Sequence, residues 1–566
     1  MAKPEFSVQE TLDSVLDRSD GEDVADAESE DFDEASETED HLEQDQDHNE
    51  TYEENADEED ADEDTYLSKD GSIDWTSSPP RRARKPKKTL QTTGITKYAS
   101  CHAKDIKSTF ELFLTEEILK IVLEMSNVEG RHVFAEEWTD LDLADIQAYI
   151  GVVILAGVYR ANHEAMASLW HPDSGRGIFR AVMTLKTFKK ISRIIRFDDK
   201  QTRISRSVND KLAAIRVVWN KWAERLPMMY NPGPNVTVDD FLVPFRGRCP
   251  FRQLKPSKPT KYGIKIWAVR DSKTSYVWNM QVYTGKSVSG NQEKEPGTRV
   301  VLDVTEGLEG HTIFCDRFFT SLALSQELLK RRLTMVGIID KNKPELPPAL
   351  LATKGRACFS SMFGFTETHS LVSYCPKKGE TVLLLSTLHR DASVSSRDDK
   401  KPTIILDYNK SKGVDNLEKM VATYTCKRKT VRWPMVLFFN MLDVSALNSY
   451  VLWTDARPEW HSGKSFRRRL FLEELGKALV GPLMEARQPL QPLPHTPVLN
   501  KGRRPLELED EASTSHTEAA PRKRMRCFLC PREKDRKTSL MCRTCTNPIC
   551  RSHAVYHAYC LECTDS

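Results

Sequence analysis

Val236-Thr237-Val238-Asp239-Asp240-Phe241-Leu242-Val243-Pro244-Phe245-Arg246-Gly247-Arg248 is the stretch on which the reading of this chain turns. It follows the breaker Pro232-Gly233-Pro234, and its β-branched opening predicts a strand, Val236 to Asp239, that ends in a carboxylate. Downstream, Tyr262-Gly263-Ile264-Lys265-Ile266-Trp267-Ala268-Val269 alternates with period two, and Ser275 to Tyr283 supplies a third strand, so an antiparallel meander is expected. His311 to Asp316 reads as another strand running into a helix marked by Leu322, Leu324, Leu328 and Leu329, with Thr334 to Ile339 a further strand. Three strands followed by alternating β and α elements predict a mixed sheet covered by helices.

Upstream, from about 105 to 232, the period is helical. Phe110, Phe113, Leu114, Ile118, Ile121 and Val122 recur near 3.6, as do Ile146, Ile150, Val153 and Ile154, and later Leu212, Ile215, Val218 and Trp222. Beyond the strands, residues 345–402 contain Pro-rich and strand-like pieces such as Glu380 to Leu385, and helical periodicity returns near Val414. Val436, Phe439, Leu442, Val444 and Leu447 mark a long apolar helix after Pro434.

The chain has 566 residues, with 82 Lys+Arg against 83 Asp+Glu, a formal net charge of −1. That balance conceals a division. Residues 1 to 75 hold 31 acidic and 3 basic residues, net −28, whereas the remainder is net +27. An acidic segment joined to a basic body is a nucleic-acid signal. Residues 1 to 75 are also poor in apolar side chains, so disorder is expected there. Pro80-Arg81-Arg82-Ala83-Arg84-Lys85-Pro86-Lys87-Lys88 reads as a nuclear-import signal or DNA-backbone contact, or more blandly as a solvated linker. No apolar run reaches the ~20 residues that span a bilayer, and no secretory signal is expected.

Three acidic sites stand at similar places relative to regular elements: Asp239 and Asp316 end strands, and Asp415 with Glu418 begins a helix. Phosphoryl transfer with two divalent ions needs carboxylates gathered from separate elements, since hard Mg²⁺ or Mn²⁺ takes oxygen ligands. Among 83 acidic residues that pattern alone leaves the matter open.

The surrounding motifs narrow it. Val238 to Arg252, Lys258-Pro259-Thr260-Lys261-Tyr262-Gly263-Ile264-Lys265, Cys315-Asp316-Arg317-Phe318-Phe319-Thr320-Ser321, Tyr408 to Glu418 and Arg428-Lys429-Thr430-Val431-Arg432-Trp433-Pro434 together resemble the piggyBac family of DNA transposases, in the family's order. The resemblance spans about residues 105 to 480 and the C-terminal cysteines. It implies an RNase H-like α/β catalytic domain with an inserted β-rich segment, embedded in a split all-α dimerisation and DNA-binding domain. The expected boundaries are 1–100 for a disordered acidic tail and basic linker, 101–234 for the first stretch of the helical domain, 235–344 for the first stretch of the catalytic domain and 345–402 for the insertion. The catalytic domain is then completed by 403–424 and the helical domain by 425–490, followed by a linker at 491–525 and a cysteine-rich domain at 526–566. The resemblance also implies that Asp239, Asp316 and Asp415 bind two Mg²⁺ or Mn²⁺ ions, with Glu418 aligned to a fourth family acid. Arg246, Arg248 and Lys343 match basic positions near the DNA, while Asp340 stands where the founding member is basic. Trp433 is either a platform for an unpaired base or a core residue. The activity implied is cut-and-paste transposition by a nuclear homodimer: excision through hairpin ends of terminal inverted repeats and joining at TTAA. The alternative is a domesticated descendant that binds DNA without transposing.

Seven of the 13 cysteines fall in the last forty residues. The spacing Cys527-x2-Cys530-x11-Cys542-x2-Cys545-x4-Cys550-x2-His553-x6-Cys560-x2-Cys563 suits two tetrahedral Zn²⁺. An interleaved cross-brace fits, with Cys527, Cys530, Cys550 and His553 on one ion and Cys542, Cys545, Cys560 and Cys563 on the other; His557 is a spare for His553. A ubiquitin-transferring RING is the competing use. The short spacers and the neighbouring Arg522-Lys523-Arg524-Met525-Arg526 favour DNA, and so does the resemblance, whose cysteine-rich domain binds transposon ends.

Overall fold

The computed structural model describes residues 65–80, 92–255, 261–285, 296–412 and 417–487, and parts of 525–553. The chain divides into two compact units, residues 1–489 and 490–566.

In the first unit the strands are β1 (Thr65–Leu67), β2 (Asp74–Thr76), β3 (Gly94–Ile95), β4 (Tyr230–Asn231), β5 (Asn235–Pro244), β6 (Gln253–Leu254), β7 (Tyr262–Asp271), β8 (Val277–Val282), β9 (Thr312–Cys315), β10 (Thr334–Ile338), β11 (Ser361–Phe365), β12 (Ser370–Lys377) and β13 (Glu380–Ser386). All but β3 and β4 join one mixed sheet, ordered β1-β2-β11-β12-β13-β10-β9-β5-β7-β6, with β8 on β7. The meander β5–β7–β8 is antiparallel, as its alternation predicts. β9 runs parallel to both β5 and β10, and each parallel pairing needs a covering crossover, supplied by helices Pro296–Val304 and Leu322–Lys330. Both faces of the central strands are therefore buried, and Val236, Val238, Ile313, Phe314, Met335 and Val336 carry almost no exposed surface.

The helices before β5 pack with those after residue 430. Helix Arg467–Arg487 crosses helix Leu143–Val158 at two glycines: a Cβ on Gly151 would lie 2.9 Å from the Gly476 carbonyl oxygen, and one on Gly476 would lie 2.6 Å from Leu155 Cγ. Only glycine permits that approach. Helix Trp433–Ala456, with Pro434 in its first turn, is long and apolar enough to cross a membrane by length and composition, yet it is buried inside this unit as a core helix. Its polar residues stitch the unit together. Ser445 Oγ accepts from Trp222 Nε1 (2.9 Å), and Asn448 pairs with both the N–H and the C=O of Val277 on β8, each at 2.8 Å.

Three expectations need correction. Disorder across 1–100 does not hold at its end, because β1 and β2 form a hairpin that joins the sheet through Thr76 and Phe365. Its Trp75 is fully buried and donates to the Glu345 carbonyl (3.1 Å), while the Lys69 and Asp70 amides reach the carbonyls of Leu346 and Pro344. A count dominated by Asp and Glu hides the Tyr66, Ile73 and Trp75 that make this possible. Residues 92–100 are ordered as well, starting with β3 on β4. The segment 345–402 is β-rich as expected, but β13 pairs with β10, so its strands prolong the main sheet rather than stand apart. Helix Thr403–Lys412 also begins ahead of the periodicity read near Val414.

Candidate active site

The register of β5 on β9 pairs Thr237 with Phe314. Two residues further along each strand come Asp239 and Asp316, so they stand at one level on adjacent parallel strands about 4.8 Å apart. Asp316 follows directly on β9, and the turn beyond it is tied back by Phe318 N–H to Asp316 Oδ1 (3.0 Å) and Thr320 Oγ1 to the Asp316 carbonyl (2.8 Å). Burial pushes the Asp316 carboxyl above its usual range; Lys412 partly offsets this, and Asp240 and Asp239 add to the rise.

Alternation along β5 sends Asp239 and Asp240 to opposite faces, and the two acids meet different partners. Asp240 is clamped by Lys255 and by Lys265 (2.8 Å). Burial alone would raise its carboxyl, but the two lysines more than offset this and hold it low. Asp239 instead faces Lys412, whose ammonium pairs with Oδ1, and the buried Arg270, whose Nε stands 3.4 Å from Oδ2. Lys412 ends helix Thr403–Lys412, and the preceding Ser411 carbonyl accepts from Thr237 Oγ1 of β5 (3.3 Å). Carboxylate oxygens are the hard donors that Mg²⁺ or Mn²⁺ takes, and the Lys412 ammonium that pairs with Asp239 also acts on Asp316.

A family model described as Transposase IS4 matches residues 106–450. Across the fold, 82% of this chain superposes on 98% of a piggyBac transposase chain solved by cryo-EM in a synaptic complex with hairpin DNA, with a TM-score of 0.67 and 29% identity. The chain belongs to the piggyBac-type transposase family. Among curated human proteins, it is 23% identical over 363 residues to piggyBac transposable element-derived protein 3, covering 59% of each chain. It is 21% identical over 384 residues to piggyBac transposable element-derived protein 2, covering 62% of this chain and 63% of that one. The chain thus spans about three fifths of the curated relatives it matches.

The other residues singled out from the motifs of this transposase family are placed as follows. Asp415 lies outside the described residues. Glu418 is half-buried in the first turn of helix Leu417–Thr423, which packs on β5, but it does not line the cavity of about 600 Å³ that Asp316 shares with Asp240 and Asp340. Arg246 and Arg248 are exposed on the loop after β5, which Arg252 closes by donating to the carbonyls of Arg246 (2.6 Å) and Gly247 (3.0 Å). Lys343 sits in the turn after β10, its amide donating to the Asp340 carbonyl (3.2 Å). Trp433 is half-buried, edge-on to Phe251 with centroids 5.1 Å apart. Lys412, Arg270 and the two lysines on Asp240 escaped the sequence reading. Lys412 adjoins the quoted Gly413-Val414-Asp415, but nothing local says that its ammonium reaches β5.

In the second unit, Cys527, Cys530, Cys550 and His553 bring one donor atom each within 4.8 Å of one another. Cys530 Sγ lies 3.7 Å from Cys550 Sγ, and His553 Nδ1 lies 3.6, 3.7 and 3.4 Å from the sulfurs of Cys527, Cys530 and Cys550. Tetrahedral zinc with Zn–S near 2.3 Å and Zn–N near 2.0 Å sets such spacings at about 3.8 and 3.6 Å. These four are the first half of the expected cross-brace, with His553 in place. Cys542, Cys545, Cys560, Cys563 and the spare His557 lie outside the described residues, as do Arg522, Lys523 and Arg524 of the second basic group and all but Pro80 of the first.

Proposed function

We propose that this chain is a cut-and-paste DNA transposase with an RNase H-like core of the DDD/E type. The observation that carries this reading is that Asp239 and Asp316 each follow by two residues the Thr237–Phe314 pair of the adjacent parallel strands β5 and β9. The antiparallel meander β5–β7–β8, extended by parallel β9 and β10, supports the RNase H-like reading. Asp239, Asp316 and Asp415 are the proposed ligands of two Mg²⁺ or Mn²⁺ ions, with Glu418 as a fourth acid. When bound, such ions stabilise charge on the attacking and leaving oxygens of an in-line displacement. Asp239 on β5 and Asp316 directly after β9 fix the site to the central sheet, and the exposed Arg246 and Arg248, with Lys343, neutralise backbone phosphates and set the register of the DNA. Trp433 is left out of that surface, since its contact with Phe251 supports a packing role.

The sequence of events follows the resemblance and is supported by the hairpin DNA held by the solved relative. Water cuts one strand at each terminal inverted repeat. The freed 3′ hydroxyl attacks the opposite strand to close a hairpin, and the reopened end joins a TTAA target. In this reading the protein works in the nucleus as a homodimer, and its C-terminal Cys/His module, loaded with Zn²⁺, binds the transposon ends. Asp316→Ala is expected to abolish excision of a reporter flanked by the cognate repeats while leaving end binding intact in a mobility-shift assay. Excision that survives the substitution removes the assignment. A second reading, a descendant that binds DNA without transposing, is favoured by the names of the two human relatives. Absent excision by the unsubstituted chain, with end binding retained, would select it.

A further inference from the structure

We propose that the Lys412 ammonium is a built-in counter-ion that holds the place of a divalent cation beside Asp239 and Asp316 and has to withdraw when one binds. The inference rests on the metal reading above and concerns a residue that reading does not use. Lys412 Nζ pairs with Asp239 Oδ1, and only about a fifth of its side chain is exposed. An ammonium taken that far from water needs compensating charge, and the nearby carboxylates supply it. In return it keeps two acids at one level of neighbouring strands from repelling each other with no metal present.

The same oxygen cannot serve both cations fully. A divalent ion draws a carboxylate oxygen to about 2.0–2.1 Å, and an ammonium already on that oxygen would be left facing a like charge of twice its size. The backbone gives little room for retreat: Ser411 is buried, its carbonyl accepts from Thr237 Oγ1 (3.3 Å), and that hydroxyl is itself within 2.9 Å of Ser272 Oγ. The move therefore belongs to the four-carbon stem of Lys412, which has rotamers to spare. Arg270 is differently placed. Its guanidinium is buried at 3.4 Å from Oδ2 and reaches Ser275 Oγ at 3.4 Å, so it stays as a fixed second charge on Asp239. The DNA-free protein thus binds divalent ions more weakly than its carboxylates alone would allow.

The test is Mn²⁺ titration of the full chain without DNA, by calorimetry and by the loss of the free Mn²⁺ resonance signal, together with thermal melts. Lys412→Met keeps the stem and removes the charge. The expected result is Mn²⁺ affinity raised about tenfold or more, as competitive coupling of this kind commonly gives, with a lower melting temperature in the absence of metal that Mn²⁺ restores. Lys412→Gln gives the same reading should Met unfold the chain. Lys412→Arg, which retains the charge, is expected to show no gain, and adding Asp239→Asn to Lys412→Met is expected to remove the tight site. Equal or weaker Mn²⁺ affinity in the folded uncharged variants, or an equal gain in Lys412→Arg, overturns the proposal and leaves the metal reading standing. Absence of Mn²⁺ binding in every variant and in the unsubstituted chain overturns both.

Discussion

Side chains of one charge have several fates in this protein, and the basic run before Trp433 shows it. Arg428, Lys429 and Arg432 have the look of phosphate ligands, yet Arg428 donates to the carbonyls of Ala161 and Glu164, and Arg432 to those of Ser192 and Ile195. Lys427 likewise donates to the Pro244 carbonyl. These cations serve the fold: Arg432 ties the loop to the end of helix Leu185–Ile194, Arg428 to the turn at residues 161–164 and Lys427 to the end of β5. Asp443 anchors the same loop from below, accepting from Thr425 Oγ1 (2.6 Å) and from the Cys426 N–H (2.8 Å). Full burial raises its carboxyl to about 6, although those hydrogen bonds and the neighbouring Arg468 pull the other way. The folded value lies above the unfolded one, so the folded chain binds the extra proton between about pH 4 and pH 6. Asp443 therefore favours the fold below that window, and its contribution falls as pH rises through it. Urea melts of Asp443→Asn beside the unsubstituted chain should show the variant gaining in relative stability between about pH 4.5 and pH 7. A difference that stays flat would mean that Asp443 is ionised throughout.

At the scale of elements, period and breaker residues carried most of the reading. β5, β7, β8, β9 and β10 lie where alternation and apolar runs put them, and the helix after Pro434 follows its stripe. Helix Thr403–Lys412 was harder to see because Thr403, Ile404 and Ile405 open it with β-branched residues that locally favour extended backbone. The hairpin of β1 and β2 was harder still, since two three-residue strands gain their stability only from the sheet edge and from the pocket that Trp75 fills. Glycines at the crossing of Leu143–Val158 and Arg467–Arg487 are silent in sequence, where they read as weak points in a helix. Gly476→Leu is expected to destabilise by about 1–3 kcal/mol, because the new side chain meets Leu155. Gly481→Ala, on the same helix with nothing within 4 Å of its Cβ, is expected to be neutral or to stabilise by about 1 kcal/mol. Chemical denaturation of the pair checks both, and equal effects would mean that the close approach does not decide the first.

For the whole molecule, the near-zero net charge is the sum of a −28 segment and a +27 remainder, and the chain contacts fall into two units. The second unit offers one complete set of four zinc donors among its described residues, whereas the spacing of eight ligands asks for two. Elemental analysis of the purified full chain should therefore find two zinc ions, falling to one with Cys550→Ser; a count that Cys550→Ser leaves unchanged would remove the set built on Cys527, Cys530 and His553. The sequence by itself determined the ligand types, the order of the family motifs and nearly all of the central strands, because periodicity and side-chain chemistry are written within a few residues. Tertiary structure alone decided which of the adjacent Asp239 and Asp240 meets Lys412 and Arg270 and which is clamped by Lys255 and Lys265, and it alone turned the arginines before Trp433 inward. These choices depend on distant pairs, Lys412 and Asp239 separated by 173 positions and Arg428 and Ala161 by 267. Over such separations the reach, facing and burial of a charge are set by packing.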